Sequence, residues 1–177
     1  MPPSTLPEQI SVPKDNPLVT PEWLQNYIYE ENIIIFDCSY HLNGANRDAH
    51  QEYLAAHIEG AYFFDIDKHA DKESSLPHML PSNSTFQETM AHFSISDTST
   101  IVCYDNSPLH SAARVWWMFR AYGFTNIYIL DGGLKGWKSA DFKTCRSTDY
   151  STKAHASNAN NFENNRKDSN SRDNNSR

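Results

Sequence analysis

Thr100-Ile101-Val102-Cys103-Tyr104 runs into Asp105-Asn106-Ser107-Pro108-Leu109-His110, then into Ser111–Tyr122 with Gly123 behind it. Five apolar, β-branched or aromatic residues without polar alternation suit a strand covered on both faces. Asp105 to His110 reads as a loop, and Gly123 stops the helix that begins at Ser111. A buried strand feeding a helix through a short loop is the unit of a parallel α/β sheet. Ligands of such sheets bind at the loops leaving the carboxyl ends of strands. Function is therefore expected at Asp105–His110.

The pattern repeats outward. Ile33-Ile34-Ile35-Phe36 is a second buried strand, and Asn126 to Leu130 is a third, which Asp131-Gly132-Gly133 turns into a short helix through Trp137. Thr20-Pro21 starts a helix, with Thr as cap and Pro at the first helical position, and Trp23, Leu24, Tyr27 and Ile28 give it one apolar stripe. Arg47 to His57 reads as a polar helix ended near Gly60, and Tyr62-Phe63-Phe64 as a short strand. A polar connection from Asp67 to Ser82 leads to a helix over Thr85–Phe93, capped by Ser82 or Ser84. The expected fold is α/β, a single domain with a parallel sheet and helices on both faces.

Composition sets the limits. Five prolines in residues 1–17 suggest a flexible lead-in, and the domain is expected over 18–142. In 151–177, 13 of 27 residues are Asn or Ser and none is Val, Leu or Ile, so 143–177 reads as a disordered tail. A net charge of -7 argues against nucleic acid as a partner. No apolar segment approaches the roughly 18 residues that span a bilayer, so no membrane partner is expected. No secretory or transit leader is legible, which makes the cytoplasm the expected compartment. Three cysteines, Cys38, Cys103 and Cys145, match neither a disulfide framework nor a zinc pattern, and the eight histidines form no ligand-like cluster. No metal or organic cofactor is expected.

Three segments in series carry a resemblance. His57-Ile58-Glu59-Gly60-Ala61 with Phe63-Phe64-Asp65, then Arg114-Val115-Trp116-Trp117-Met118-Phe119-Arg120, then Asp131-Gly132-Gly133-Leu134-Lys135-Gly136-Trp137 resemble the signatures of the rhodanese family. The Arg-x-Trp-Trp-Met run and Met79-Leu80-Pro81 are similar to the amino-terminal, non-catalytic half of the two-domain thiosulfate and 3-mercaptopyruvate sulfurtransferases. The resemblance implies a cysteine at the end of the central strand, whose thiolate takes sulfur from a small anionic donor and holds it as a persulfide. Backbone N–H groups of the loop and the following helix would stabilise the anionic sulfur. Counted from Gly123 and the Asp-Gly-Gly turn, with one inserted residue, that position falls on Asp105. An aspartate carries no persulfide and repels anionic donors. Only one half of the two-domain pattern is present, so this chain alone is expected to be inactive, its partner being a catalytic rhodanese domain.

The remaining candidates divide by chemistry. Cys103, two residues before Asp105, is the alternative nucleophile, and would make the chain an active single-domain sulfurtransferase; its other reading is a buried strand cysteine. Cys38 reads as structural, and Cys145, before Arg146, follows no buried strand. Asp48 and His57 could form a polar pair, in a region whose residues lie by the interdomain cleft in the mercaptopyruvate-type proteins it resembles; the plainer reading has His57 packing at the turn into Gly60. Arg114 stands where it could pair with Asp105 or meet an anion. Trp116 and Trp117 suit core or domain-interface packing, and Trp137 suits core. A dual-specificity phosphatase needs Cys-x5-Arg, but that arginine would fall on Leu109. A regulatory or binding module without catalysis is the third reading.

Overall fold

The computed structural model describes residues 10–13 and 16–147. The expectations of a flexible start over 1–9 and of a disordered tail over 148–177 lie outside the described residues. Five strands, β1 (Leu18–Val19), β2 (Ile33–Asp37), β3 (Tyr62–Phe63), β4 (Thr100–Tyr104) and β5 (Ile127–Leu130), form one sheet in the order β1-β5-β4-β2-β3. Every pairing is parallel. Five helices alternate with them: α1 (Pro21–Tyr27), α2 (Ala49–Ala55), α3 (Asn83–His92), α4 (Ser111–Ala121) and α5 (Gly133–Ser139).

The central strand β4 is buried at all five positions, as its unbroken apolar run requires. Alternate residues serve opposite layers. Ile101 and Cys103 join Ile34 and Phe36 of β2 against Phe86 of α3 and Val115, Met118 and Phe119 of α4. Val102 and Tyr104 join Ile35 against Leu24 of α1 and Leu134 and Trp137 of α5. This two-sided cover holds the carboxyl ends of β2, β4 and β5 level, and the loops that leave them meet there. Thr20 caps α1 through Oγ1, which accepts from Trp23 N at 3.2 Å. Ser82 caps α3 in the same way, and Asp48 caps α2 by accepting from Gln51 N at 3.0 Å.

β1 was not legible, because a two-residue strand between Pro17 and Thr20 has no periodicity. Contacts also run beyond 18–142 on both sides: Ser11 O accepts from Trp23 Nε1 at 2.7 Å, Pro17 O accepts from Ile129 N at 2.7 Å, and Val12 packs against the core. Cys145 forms an antiparallel bridge with His57, and Lys143 O accepts from Trp137 Nε1 at 2.9 Å. No helix among the described residues is long and apolar enough to cross a membrane.

Candidate functional site

The loop 105–110 leaves β4 at the floor of a cleft of about 610 Å3. Asp105, Arg47, His110 and Lys135 supply charged or titratable side chains to its wall, with the Asp131-Gly132-Gly133 turn opposite. No cysteine lines it among the described residues.

Asp105 is turned inward on its own loop. Oδ2 accepts from Ala112 N at 2.8 Å, and Oδ1 accepts from Ser107 N at 3.3 Å. His110, the residue preceding α4, has left-handed backbone (φ 52°) and makes no side-chain cap. The Asp105 carboxylate, five residues upstream of His110, therefore takes the capping role at the helix N-terminus, where backbone donors and the helix dipole favour negative charge. Three further N–H groups of the loop are engaged too. Asn106 N donates to Ser39 Oγ at 2.9 Å, Leu109 N to Ser107 Oγ at 3.2 Å and His110 N to Ser107 O at 3.3 Å, while Pro108 has no N–H. The chain's own carboxylate thus holds the Ser107 and Ala112 donors at this end of α4.

The seat of this loop is held from two sides. Gly133, the first residue of α5, has φ +55°, and an added Cβ there would lie 2.4 Å from Asp105 O. This close approach lets Leu134 N donate to Asp105 O at 2.9 Å. On the other side Glu52 of α2 is a hub. It accepts from Arg47 Nε at 2.7 Å and Nη2 at 2.6 Å, from Asn106 Nδ2 at 3.2 Å, and pairs with His41 Nε2 at 3.2 Å. Arg47 Nη2 also donates to Asn106 O at 2.9 Å. The Arg47 hydrogen bonds hold the Glu52 carboxyl below its ordinary range. Beneath the loop, buried Asp37 accepts from Ser39 N at 2.9 Å, and Oη of the neighbouring Tyr104 accepts from Ile58 N at 3.2 Å. Burial pushes the Asp37 carboxyl up, against the hydrogen bonds of Ser39 that hold it down.

The structure separates several candidates. Cys103 is wholly buried in the α3–α4 layer with equally buried Cys38, whose thiol donates to Phe36 O at 3.6 Å and is pushed well up by burial. Cys145 lies in the bridge to His57, outside the residues lining the cleft. The Asp48–His57 pair is not made: Asp48 caps the start of α2, while His57 lies beyond its end, stacked on Tyr53 and 2.8 Å from Tyr53 O through Nδ1. Arg114 does not pair with Asp105. It donates to His78 O and stacks on Trp117 at 4.6 Å. Asn106, Ser107, Pro108 and His110 line the cleft, while Leu109 is 45% exposed at its edge. Arg47, Glu52 and Lys135 were missed, since Arg47 and Glu52 meet Asn106 across 59 and 54 residues and no local spacing announces such contacts. No group of three or more His, Cys, Asp or Glu among the described residues could hold a metal ion.

A parallel α/β sheet whose central strand opens into a cradled loop, closed by an Asp-Gly-Gly turn, defines a rhodanese-type domain. The family of rhodanese-like domains matches residues 20–140, and the chain belongs to it. It is 39% identical over 148 residues to thiosulfate/3-mercaptopyruvate sulfurtransferase 1, mitochondrial, of Arabidopsis thaliana, covering 82% of this chain and 39% of that protein. It is 41% identical over 121 residues to the 3-mercaptopyruvate sulfurtransferase of Escherichia coli, covering 68% of this chain and 43% of that one. The crystal structure of SseA from Escherichia coli, a 3-mercaptopyruvate sulfotransferase with the rhodanese fold, superposes with a TM-score of 0.68 at 39% identity, over 74% of this chain and 50% of that one. The chain thus spans about two fifths of the length of the curated relatives it matches, the extent of one rhodanese domain and consistent with their amino-terminal one.

Proposed function

We propose that this chain is a rhodanese domain of a sulfurtransferase that moves no sulfur by itself, its chemistry being completed by a separate rhodanese domain bearing the persulfide cysteine. The observation that carries the reading is the Asp105 carboxylate held by Ser107 N and Ala112 N. Those donors are the ones an anionic sulfur at this position needs. A carboxylate cannot form a persulfide, and its charge repels the anionic donor from the same place. The burial of Cys103 argues against the single-domain alternative, because a thiolate nucleophile must be reachable and stabilised as an anion.

The ligand class of the assembled site is a small anionic sulfur donor, thiosulfate or 3-mercaptopyruvate as the relatives are named. Arg47, His110 and Lys135 line the cleft where such a charge would enter. The domain of 18–142 read from the sequence is extended by the contacts of Ser11, Val12, Lys143 and Cys145. A reducing compartment, the cytoplasm, suits three cysteines that no disulfide joins.

The test is thiocyanate formation from cyanide by the purified chain, with thiosulfate and then with 3-mercaptopyruvate. The expected rate with either donor is that of the protein-free solution. Turnover by the chain alone would overturn the reading, and loss of that turnover in Cys103→Ser or Cys145→Ser would then identify the thiol.

A further inference from the structure

Asparagine is followed by glycine once in this sequence, at Asn43-Gly44, on the loop from β2 to α2. Ala45 N donates to Leu42 O at 3.0 Å, which closes a four-residue turn with Asn43 and Gly44 at its two central positions. Gly44 has φ +95° while Asn43 keeps a negative φ. That sign pattern is the one of a type II turn, which favours glycine at the second central position. Residues 42–48 are exposed without a break, and a Cβ added at Gly44 would meet no atom within 4 Å. Among the described residues, neither the Asn43 side-chain amide nor the Gly44 N–H has a hydrogen-bond partner.

These are the conditions in which an asparagine reacts with its own backbone. The nitrogen of the next residue must come within about 3–3.5 Å of the side-chain carbonyl carbon, so any contact that holds either atom raises the barrier. At Asn43 the next residue has no side chain, its nitrogen is unengaged, and the turn is open to water. Two other asparagines among the described residues precede a small residue, serine, and the fold holds both. Asn106 Nδ2 donates to Glu52 Oε2 at 3.2 Å, and Ser107 N donates to Asp105 Oδ1 at 3.3 Å. Asn83 and Ser84 open α3, where helical backbone fixes the angle between side chain and following nitrogen.

We propose that Asn43 is a self-modification site, at which the folded chain converts the asparagine to aspartate and isoaspartate with water as the only co-reactant. The Gly44 nitrogen attacks Cγ of Asn43, and the new C–N bond closes a five-membered succinimide ring. The bond from Cγ to the side-chain nitrogen breaks, and that nitrogen leaves as ammonia with the proton given up by Gly44. Water then opens the ring at either carbonyl, and nothing is oxidised or reduced. One opening leaves aspartate at 43; the other routes the backbone through the β-carbon and lengthens it by one methylene. Both products put a carboxylate where a neutral amide stood.

The turn lies on the loop that delivers Arg47 to Glu52 and to Asn106 O. A carboxylate at 43 competes for that guanidinium, and isoaspartate also changes the span of the loop. The conversion therefore loosens the seat of the 105–110 loop, whether or not the chain moves sulfur.

The test ages the full-length protein in warm, mildly alkaline buffer, beside a sample in urea, and maps its peptides by mass. Conversion at Asn43 is expected in the folded chain at a rate within about threefold of that in urea, while Asn83 and Asn106 convert only on unfolding. An isoaspartyl methyltransferase should label the Asn43 peptide of the aged protein and not the same peptide of aged Asn43→Gln. Gly44→Ala should slow the conversion at least about tenfold, because its methyl group shields the nitrogen and disfavours the left-handed backbone. Melting temperatures of both variants report that the fold is kept. Hydrogen exchange at Asn106 and Ser107 should rise in the aged parent and stay at the fresh rate in aged Asn43→Gln. An Asn43 that converts only in urea, or converts no faster than Asn83 in the folded chain, would overturn the inference. Exchange at Asn106 unmoved by conversion would overturn its link to the loop.

Discussion

Removing the Asp105 carboxylate would strip the acceptor from two backbone N–H groups at once, at Ser107 and Ala112. Asp105→Ala is therefore expected to lower stability by about 1–2 kcal/mol, the usual loss for a helix cap, read from urea unfolding. No gain in sulfur transfer should accompany it; an unchanged midpoint would show that the carboxylate caps nothing. His69 gives a second residue-level test. It is buried beside Phe64, within 3.0 Å of Thr89 Oγ1, and burial lowers its pKa to about 4 from 6.5. Between those values the unfolded chain binds a proton that the folded chain does not. Stability is then full above pH 6.5 and falls as pH drops toward 4. The His69→Gln variant should flatten that part of the melting-temperature profile. Asp105 was legible in the sequence as the residue that ends the central strand and opens the loop, the place to which the resemblance drew attention. That its carboxylate folds back on its own loop was not, since neither of its donors is a side chain. Arg114 was misjudged for a related reason: its place on α4 was right, but its direction is set by the His78 carbonyl and the Trp117 ring, which only the fold brings near.

Among the elements, the unbroken strands and the Thr20-Pro21 helix start were readable because burial on both faces and capping chemistry leave local signals. β1 left none, and α2 proved shorter than Arg47–His57 because Asp48 caps it and Ala56 turns to extended backbone. The contact between the α5 turn and the loop after β4 depends on a missing side chain. Gly133→Ala would force a Cβ to within 2.4 Å of Asp105 O at a backbone angle of +55°. The expected loss is about 2–4 kcal/mol, with faster hydrogen exchange at the Leu134 amide. An exchange rate unchanged from that of the parent would mean that the turn does not seat the loop. On the α2 side, Glu52→Gln keeps the shape but removes the charge that Arg47 and Asn106 share. Local exchange at Asn106 and Ser107 should rise while global stability moves by less than about 1 kcal/mol, as for a half-exposed ion pair.

For the molecule as a whole, the α/β class, the parallel sheet and the layering on both faces were legible from alternation of element type. The limits of the folded unit were not. Proline content suggested that everything before Leu18 is loose, yet Ser11, Val12 and Pro17 are bound into the α1–β5 side. Residues 143–146 look like the start of a polar tail, yet their backbone closes over His57 and Trp137. A chain cut after Phe142 should therefore melt several degrees below one cut after Ser147, because it loses both the bridge and the Trp137 hydrogen bond. Equal melting temperatures would return the boundary to 142. The proposed function also belongs at this scale, since a loop whose Ser107 and Ala112 donors hold its own carboxylate should hold no sulfur. The most direct measurement is the intact mass of the chain after incubation with excess thiosulfate or 3-mercaptopyruvate and removal of the donor. The account predicts an unchanged mass, before and after thiol reductant. A reductant-sensitive gain of one sulfur atom, mapped to Cys103, would contradict it.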